Sequence, residues 1–379
     1  MVAGKKKAKT QSQRTRSVEE DVSKVRTMES VNTLNVIFLE WLETMNRVVY
    51  GNTAINAILP PDLQFFSNHM LPDYDVLSPD ADADVRSLVE TFSRRGHRVA
   101  VAVDPEEDGC RRVFVNAFLI ARVTDVPKSV YARIHANALQ GGTLRVAPAD
   151  YLRMALLFEL TRQTSASSWN DTFDKLLRIN RAFNLDGEAQ CEPSLEHDKD
   201  AKDALEAARA HLKKSPYVLC GYAAAAMALA DGKWKPDATR IDAHSTCLDV
   251  LATNPTAAAN EFSKIFRKPA NGPKITVTEK RKSSVYPRCT TISLDGRPFM
   301  GFIHADKCLP YVQVEGLRIA TMDTLLALYL RAFILDKPTT NLRCLCDVLA
   351  MHQHNRFNSQ NPIFKRYVAE CYGRRQATP

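Results

Sequence analysis

The stretch Val48 to Asp80, VVYGNTAINAILPPDLQFFSNHMLPDYDVLSPD, decides how this chain is read. Its apolar run Val48-Val49-Tyr50 predicts a short buried strand. Gly51-Asn52-Thr53 predicts a tight turn. Thr53 to Leu59 predicts the first turns of a helix, which Pro60-Pro61 ends because proline has no amide to continue it. A loop then leads to Asp73-Tyr74-Asp75 and apolar Val76-Leu77. Side chains alternate faces along a strand, so Asp73 and Asp75 point one way and Tyr74 the other. Two carboxylates on one face repel each other unless a cation lies between them. Magnesium suits that place, since it is held by one or two carboxylates together with substrate phosphates. A strand, a small-residue turn and a helix just before the pair offer backbone N–H groups and a helix N-terminus to a triphosphate.

This arrangement resembles the G-[GN]-[ST]…D-x-D signature of the polymerase-β-like nucleotidyltransferases. An acidic pair by itself carries little, because exposed loops often have one. The preceding turn and the apolar residues on both sides give Asp73 and Asp75 their weight.

Composition bounds the rest. A chain of 379 residues holds two or three domains with cores of their own. With 45% apolar and 25% charged residues it has the composition of a soluble globular protein. Its longest run of low polarity, Tyr217 to Ala230, has 14 residues, short of the roughly 20 that span a bilayer. No secretory signal stands out, so no membrane partner is expected. Nine cysteines without regular spacing suggest reduced thiols in a cytosolic setting. The net charge of +8 is uneven, since Met1 to Arg16 alone carries +6. Residues 1–24 therefore read as a basic disordered tail, either a loose hold on RNA phosphates, an address, or simply a solvated arm.

In chain order, Val25 to Met45 predicts a helix, with Leu34, Ile37, Phe38, Trp41, Leu42 and Met45 at three- and four-residue steps. Ala81 to Arg95 predicts a second. Strands follow at Arg98 to Val103 and Arg112 to Thr124, then a short one at Thr143 to Val146, then helices at Tyr151 to Thr161 and Trp169 to Phe183. This is an α+β order, a small mixed sheet with helices. It gives a domain over 25–191 with a helical extension, a charged linker or helix over 192–214, and a second domain over 215–379. In that second half the opening pattern recurs. Tyr217-Val-Leu-Cys220 and Gly221 to Leu229 echo Val48 to Leu59, and Leu248-Asp249-Val250-Leu251 echoes Tyr74-Asp75-Val76-Leu77. Where the first copy has Asp73 the second has Cys247, and one carboxylate with a thiol makes a poor magnesium site. The second copy reads as a structural duplicate without chemistry. Strands are expected at Ile275 to Val277, Cys289 to Leu294, Phe299 to Ile303, Val312 to Val314 and Leu317 to Ile319. Helices are expected at Thr321 to Ile334 and Asn341 to His352.

Six segments in one order now support a family. They are Tyr50-Gly-Asn-Thr-Ala-Ile-Asn56, Leu71-Pro-Asp-Tyr-Asp-Val-Leu-Ser-Pro79, Val113-Phe-Val-Asn116, Ala147-Pro-Ala-Asp-Tyr-Leu-Arg-Met154, Arg318-Ile-Ala-Thr-Met-Asp-Thr-Leu325 and Cys371-Tyr-Gly373. Together they resemble the poly(A) polymerase catalytic subunits of large nucleocytoplasmic DNA viruses. The resemblance implies a catalytic nucleotidyltransferase domain followed by a degenerate one. It implies ATP as substrate, an RNA 3′ end as primer and Mg²⁺ or Mn²⁺ as cofactor. Asp73 and Asp75 would be the catalytic carboxylates that hold the ions of a two-metal nucleotidyl transfer, and Gly51, Asn52 and Thr53 would bind the nucleotide. The partner would be a second copy of the chain or a viral processivity subunit. The place would be the cytoplasm of an infected cell, with packaging in the virion an option. The chain departs from the family pattern twice. The turn has Asn52 where the family has glycine, a residue that tolerates left-handed backbone. In the segment Ile120-Ala-Arg122-Val-Thr124 an arginine stands where the family has a third aspartate. A catalytically degenerate subunit that binds RNA or a polymerase is therefore the alternative. Asp125, the nearest acid, is three residues on and faces the other side of a regular strand, so it replaces the aspartate only if a β-bulge re-aims it.

Three smaller features complete the reading. Cys344, Cys346, His352 and His354 superficially suggest zinc, but residues two apart on a helix do not face each other. Lys280-Arg281-Lys282 is a solvated turn or a phosphate contact. Arg153 either reaches the nucleotide or closes a structural ion pair.

Overall fold

The computed structural model describes residues 32–66, 74–104, 109–183, 196–198, 201–234, 238–240, 246–266, 273–280, 287–335, 340–356 and 360–373. The basic tail, Asp73, Arg281 and Lys282 lie outside these residues. The chain forms two compact units. Unit 1 comprises Met1–Ala57, Phe65–Asp125 and Gln140–Val146, and unit 2 the remainder.

In chain order the elements begin with α1 (residues 32–45), β1 (Val48–Tyr50), α2 (Gly51–Ile58), β2 (Tyr74–Ser78), α3 (Ala81–Arg94), β3 (Val99–Val103), β4 (Cys110–Val115) and β5 (Phe118–Asp125). Then come α4 (Lys128–Ala136), β6 (Leu139–Gly141), β7 (Leu144–Val146), α5 (Ala149–Thr161) and α6 (Trp169–Ala182). The seven strands form one mixed sheet in the order β3-β4-β5-β2-β1-β7-β6. Helices α1 and α3 cover one face. Phe38 of α1 lies 4.7 Å from the Tyr74 ring, Trp41 donates to Ser87 of α3 at 3.1 Å, and Val85, Leu88 and Phe92 of α3 are buried. A bidentate ion pair clamps the corner between them. Arg47 reaches the buried Asp84 at 2.6 and 2.9 Å, and Ser78 also donates to that carboxylate. Where sequence periodicity predicts one strand over Arg112 to Thr124 there are two. Asn116 and Ala117 adopt positive φ, 50° and 71°, and form the two-residue turn between them. Helix α4 has no counterpart in the sequence reading.

The remaining elements are β8 (Glu196–Asp198), α7 (Lys202–Leu212), β9 (Val218–Cys220), α8 (Gly221–Leu229), β10 (Ala238–Arg240), β11 (Leu248–Ala252) and α9 (Pro255–Phe266). After them come β12 (Ile275–Lys280), β13 (Cys289–Leu294), β14 (Arg297–His304), β15 (Leu309–Val314), β16 (Leu317–Ala320), α10 (Met322–Leu335), α11 (Thr340–Arg356) and β17 (Cys371–Tyr372). Strands β8 and β10 pair separately, and the others form an eight-stranded sheet in the order β12-β13-β14-β11-β9-β16-β15-β17. Helices α5 and α6, which chain order places with the first domain, belong to unit 2, where α5 packs against α10.

The two sheets are copies of one design. Order and direction agree strand for strand, from β3/β12 at one edge through β5/β14, β2/β11, β1/β9 and β7/β16. Registers agree as well: Tyr50 pairs with Asp75 as Cys220 pairs with Asp249, and Val49 with Val146 as Leu219 with Ile319.

The expectation of reduced thiols holds for Cys110, Cys220, Cys247, Cys289 and Cys346, which are free, and is corrected for three others. Cys308 and Cys371 form a disulfide, and Cys344 is disulfide-bonded too. Irregular spacing in the sequence hides the pairing because tertiary structure, not the chain, brings the sulfurs within reach.

Asp249 of the second copy is half-buried and accepts from the Thr246 hydroxyl. Burial pushes its carboxyl up to about 7, against the pull of that hydrogen bond. A carboxyl whose folded pKa is raised favours folding most below its unfolded pKa, and that contribution fades as pH rises through the folded one. Stability should therefore fall between about pH 4 and 7, with a slope of at most about 1.4 kcal/mol per pH unit from this group. Asp249→Asn should flatten the curve in denaturant melts across that window, and an unchanged curve would refute the assignment.

Candidate active site

The site is built where β1 runs into α2. Gly51 sits at φ +74°, and a Cβ there would collide with the carboxylate of Asp75 on β2. Only a glycine lets the turn pass so close while adopting this backbone. Helix α2 thus begins beside an aspartate on the neighbouring strand. Thr53 in its first turn is buried, and Asn52 is exposed. Asn56, one turn on, accepts from the backbone N–H groups of Phe65 and Phe66 at 2.8 and 3.0 Å and fixes the chain beyond Pro60-Pro61. The Tyr50 and Thr124 hydroxyls meet at 2.9 Å.

The sheet register places a row of charged side chains beside Asp75. Asp75 is opposite Arg122 on β5, Arg122 is opposite Arg112 on β4, and Arg112 is opposite Ala102 on β3. Paired residues share a face, so the row is continuous. Arg122 Nη1 donates to Asp75 Oδ1 at 3.0 Å. Arg112 Nε donates to the buried Asp104 at 2.6 Å. Two guanidinium groups opposite one another on paired strands repel, and the carboxylates at either end of the row offset this. Sequence reading had located Asp75 and Arg122 but missed the Arg112–Asp104 pair. The alternation of Arg112 with the buried Val113 was its only local signal.

Asp125 is not the replacement acid. It pairs with Ser78 on the opposite face, under α3. Its Oδ1 accepts from Ala81 N at 3.2 Å, at the start of α3. Three residues of strand, about 10 Å, separate it from Arg122. Asp73, the other sequence-predicted carboxylate, lies outside the described residues.

These residues fit one divalent ion that shares Asp75 with triphosphate oxygens. They do not fit a second, because the place on β5 where a further carboxylate would stand carries Arg122. In the second copy the same place on β14 is Gly301, opposite Asp249. A Cβ at Gly221 or Gly301 would strike the Asp249 carboxylate. The second copy thus keeps the backbone approach and has neither partner carboxylate nor cation at these positions.

Arg153 takes the structural role. It is buried in unit 2 and donates to Asp150 and Asn180 at 2.9 Å each, and to the Phe183 carbonyl. Burial lowers its pKa against the pull of Asp150. Cys344 is closed in a disulfide, so it has no thiolate to offer zinc.

No curated protein matches the chain by sequence. Residues 36–165 match the model of the family described as "Poly(A) polymerase catalytic subunit". Among solved structures, the Megavirus polyadenylate synthase aligns with a TM-score of 0.76 at 16% identity, over 99% of this chain and 82% of that one. The two share a fold, which in this chain is two units of mixed α+β structure, each built on a mixed sheet. The resemblance is therefore borne out: residues 36–165, which hold four of the six motifs, match the model of the poly(A) polymerase catalytic subunit family, and nearly the whole chain shares the fold of the polyadenylate synthase.

Proposed function

We propose that the chain is a template-independent nucleotidyltransferase that adds AMP from ATP to the 3′ end of an RNA, viral mRNA being the natural primer. The approach of the Gly51 turn to Asp75 carries this reading, within a segment matched by the poly(A) polymerase family model. Gly51, Asn52 and Thr53 open α2 and would present backbone N–H groups to the β- and γ-phosphates. Asp73 and Asp75 would hold Mg²⁺ or Mn²⁺ together with triphosphate oxygens. Such an ion, when bound, supplies charge neutralisation at the polyphosphate. The chain's own residues do the rest. Arg122 holds the Asp75 carboxylate in place beside the turn, and the Arg112–Asp104 pair keeps the next strand's charge neutral. On this reading the chain would act in the cytoplasm of an infected cell, with packaging in the virion an option.

A second reading, a silent paralogue that binds RNA or a polymerase, is favoured by one observation, the Arg122–Asp75 ion pair at 3.0 Å. A guanidinium stays charged. At ~4 Å and an effective dielectric near 20, a like unit charge costs about 4 kcal/mol, and a divalent ion roughly double. Elongation should therefore be slow in the unmodified chain while ATP binding persists.

Extension of an oligo(A) primer with Mg²⁺ or Mn²⁺ separates the readings. Arg122→Asp should raise the rate at least roughly tenfold, about 1.4 kcal/mol in barrier. Asp75→Ala should abolish extension, and Asp249→Ala should leave it unchanged. No extension from either the unmodified chain or Arg122→Asp, with ATP still bound, would establish the silent reading. A fast unmodified chain in which Arg122→Asp is neutral would show that another acid serves.

A further inference from the structure

Helix α7 ends at Leu212, and the chain turns through residues 213–217 into β9. The hairpin that joins β15 to β16 faces this turn, and all of these residues belong to unit 2. Between them lies a groove of about 380 Å³, with Lys213, Lys214, Gln313 and Arg318 on its walls. Arg318 is fixed in place. Its Nη1 donates to the Pro216 carbonyl at 2.9 Å, and its guanidinium lies 5.5 Å from the centre of the Tyr311 ring. Gln313 is opposite Arg318 in the hairpin, so the two share a face. The stem of Lys213 rests on the tip of the hairpin, with Cγ and Cδ 3.9 Å from where a Cβ on Gly316 would stand.

Among the described residues no acid lines the groove. Glu315, at the tip of the hairpin, is held by Arg209 at 2.8 Å. Like charges that share a groove repel unless an anion joins them. Two lysines at the end of a helix complement its dipole, but that does not set Arg318 and Gln313 opposite them. The internal repeat makes the same point. Val49 of β1 corresponds to Leu219 of β9, and Val146 of β7 to Ile319 of β16. By that register Lys213, Lys214 and Arg318 stand where the first unit has Glu43, Thr44 and Arg145. One acid and one base in the first copy are three bases in the second, so the shared fold does not require the charge.

We propose that this groove binds linked phosphates, the chain of an inorganic polyphosphate or of a nucleoside triphosphate, at a site separate from the Gly51 turn and Asp75. Lysine ammonium groups meet phosphate oxygens as point charges, and a planar guanidinium offers a fork to two of them. The Gln313 amide adds a neutral donor on the same face. Among the described residues no aromatic side chain lines the groove, so nothing there stacks on a base. A single strand of nucleic acid is held by a groove that tracks its backbone and by rings that stack on its bases. Three cations around one short groove fit a compact anion instead.

The proposal does not rest on the adenylyl-transfer reading, because the groove and Asp75 belong to different units. It is tested on the full chain by calorimetric titration with tripolyphosphate, with amide hydrogen exchange, in EDTA to keep divalent ions off Asp75. The unmodified chain should bind tripolyphosphate, more weakly as salt rises, with residues 213–215 and 313–318 protected. Giving the groove the residues of the first unit, Lys213→Glu with Lys214→Thr, should weaken binding at least roughly tenfold and remove that protection at an unchanged melting temperature. Lys214→Gln alone, at an exposed position, repeats the test if the double variant fails to fold. Protection of the same residues by ATP but not by AMP would admit nucleoside triphosphates; protection by tripolyphosphate alone would confine the site to inorganic polyphosphate. The basic tail also attracts polyanions, so the variants and the protected residues decide. Unchanged affinity in both variants would overturn the proposal, as would protection confined to other residues. So would an oligo(A) strand that protects the groove at lower concentration than tripolyphosphate does.

Discussion

A glycine with positive φ, pressed against an aspartate on the next strand, is the constraint on which both halves of this protein depend. Gly51 meets Asp75, and Gly221 meets Asp249. In each case any side chain on the glycine would occupy the space of the carboxylate. The contact fixes how closely the first strand and its helix approach the second strand, and so fixes the register, Tyr50 with Asp75 and Cys220 with Asp249. The rest of each sheet is built outward from that pair. Two copies that have diverged at nearly every other site position retain it, because it is a matter of excluded volume and backbone conformation rather than of chemistry.

What differs between the copies is the neighbour on the parallel strand. Beside Asp75 stands Arg122, and beside Asp249 stands Gly301. In the first case the carboxylate gains a fixed cation and stays partly accessible. In the second it accepts, among the described residues, from the Thr246 hydroxyl, and burial pushes its pKa up to about 7. One residue position thus separates an aspartate paired with a cation from one set mainly by burial. The Arg112–Asp104 pair extends the charged row across two further strands, with two arginines at its centre and a carboxylate at each end.

The opposite face is apolar almost throughout. There α1, α3 and the Arg47–Asp84 clamp bury one side of β2, β4 and β5. A buried, bidentate pair of this kind holds orientation, because removing either partner strands the other charge. The helical cover stops short of β3, so the division of the sheet into a polar working face and an apolar packing face reaches the edge strand unprotected.

The sequence by itself determined the strand–turn–helix at Val48 to Leu59, the faces of Asp75 and Tyr74, the internal repeat and the departure at Arg122. Each of these follows from local rules: backbone conformation at glycine, a period of two along strands, and recurrence of short patterns. Only the tertiary structure decided which residues those features meet. Alternation along the strand sends Asp125 to the face opposite Arg122, and the tertiary structure decided what it meets there, the backbone N–H of Ala81 at the start of α3. Arg153 sits in a family motif and is spent on Asp150 and Asn180, the latter 27 residues away. The break at Asn116-Ala117 was hidden because both flanks are equally apolar, and only a positive-φ turn distinguishes two strands from one. The cysteine pairing was hidden for the same reason as the Arg112–Asp104 row. Both depend on distances across the sheet, which are set by register and packing and leave no trace in the order of residues along the chain.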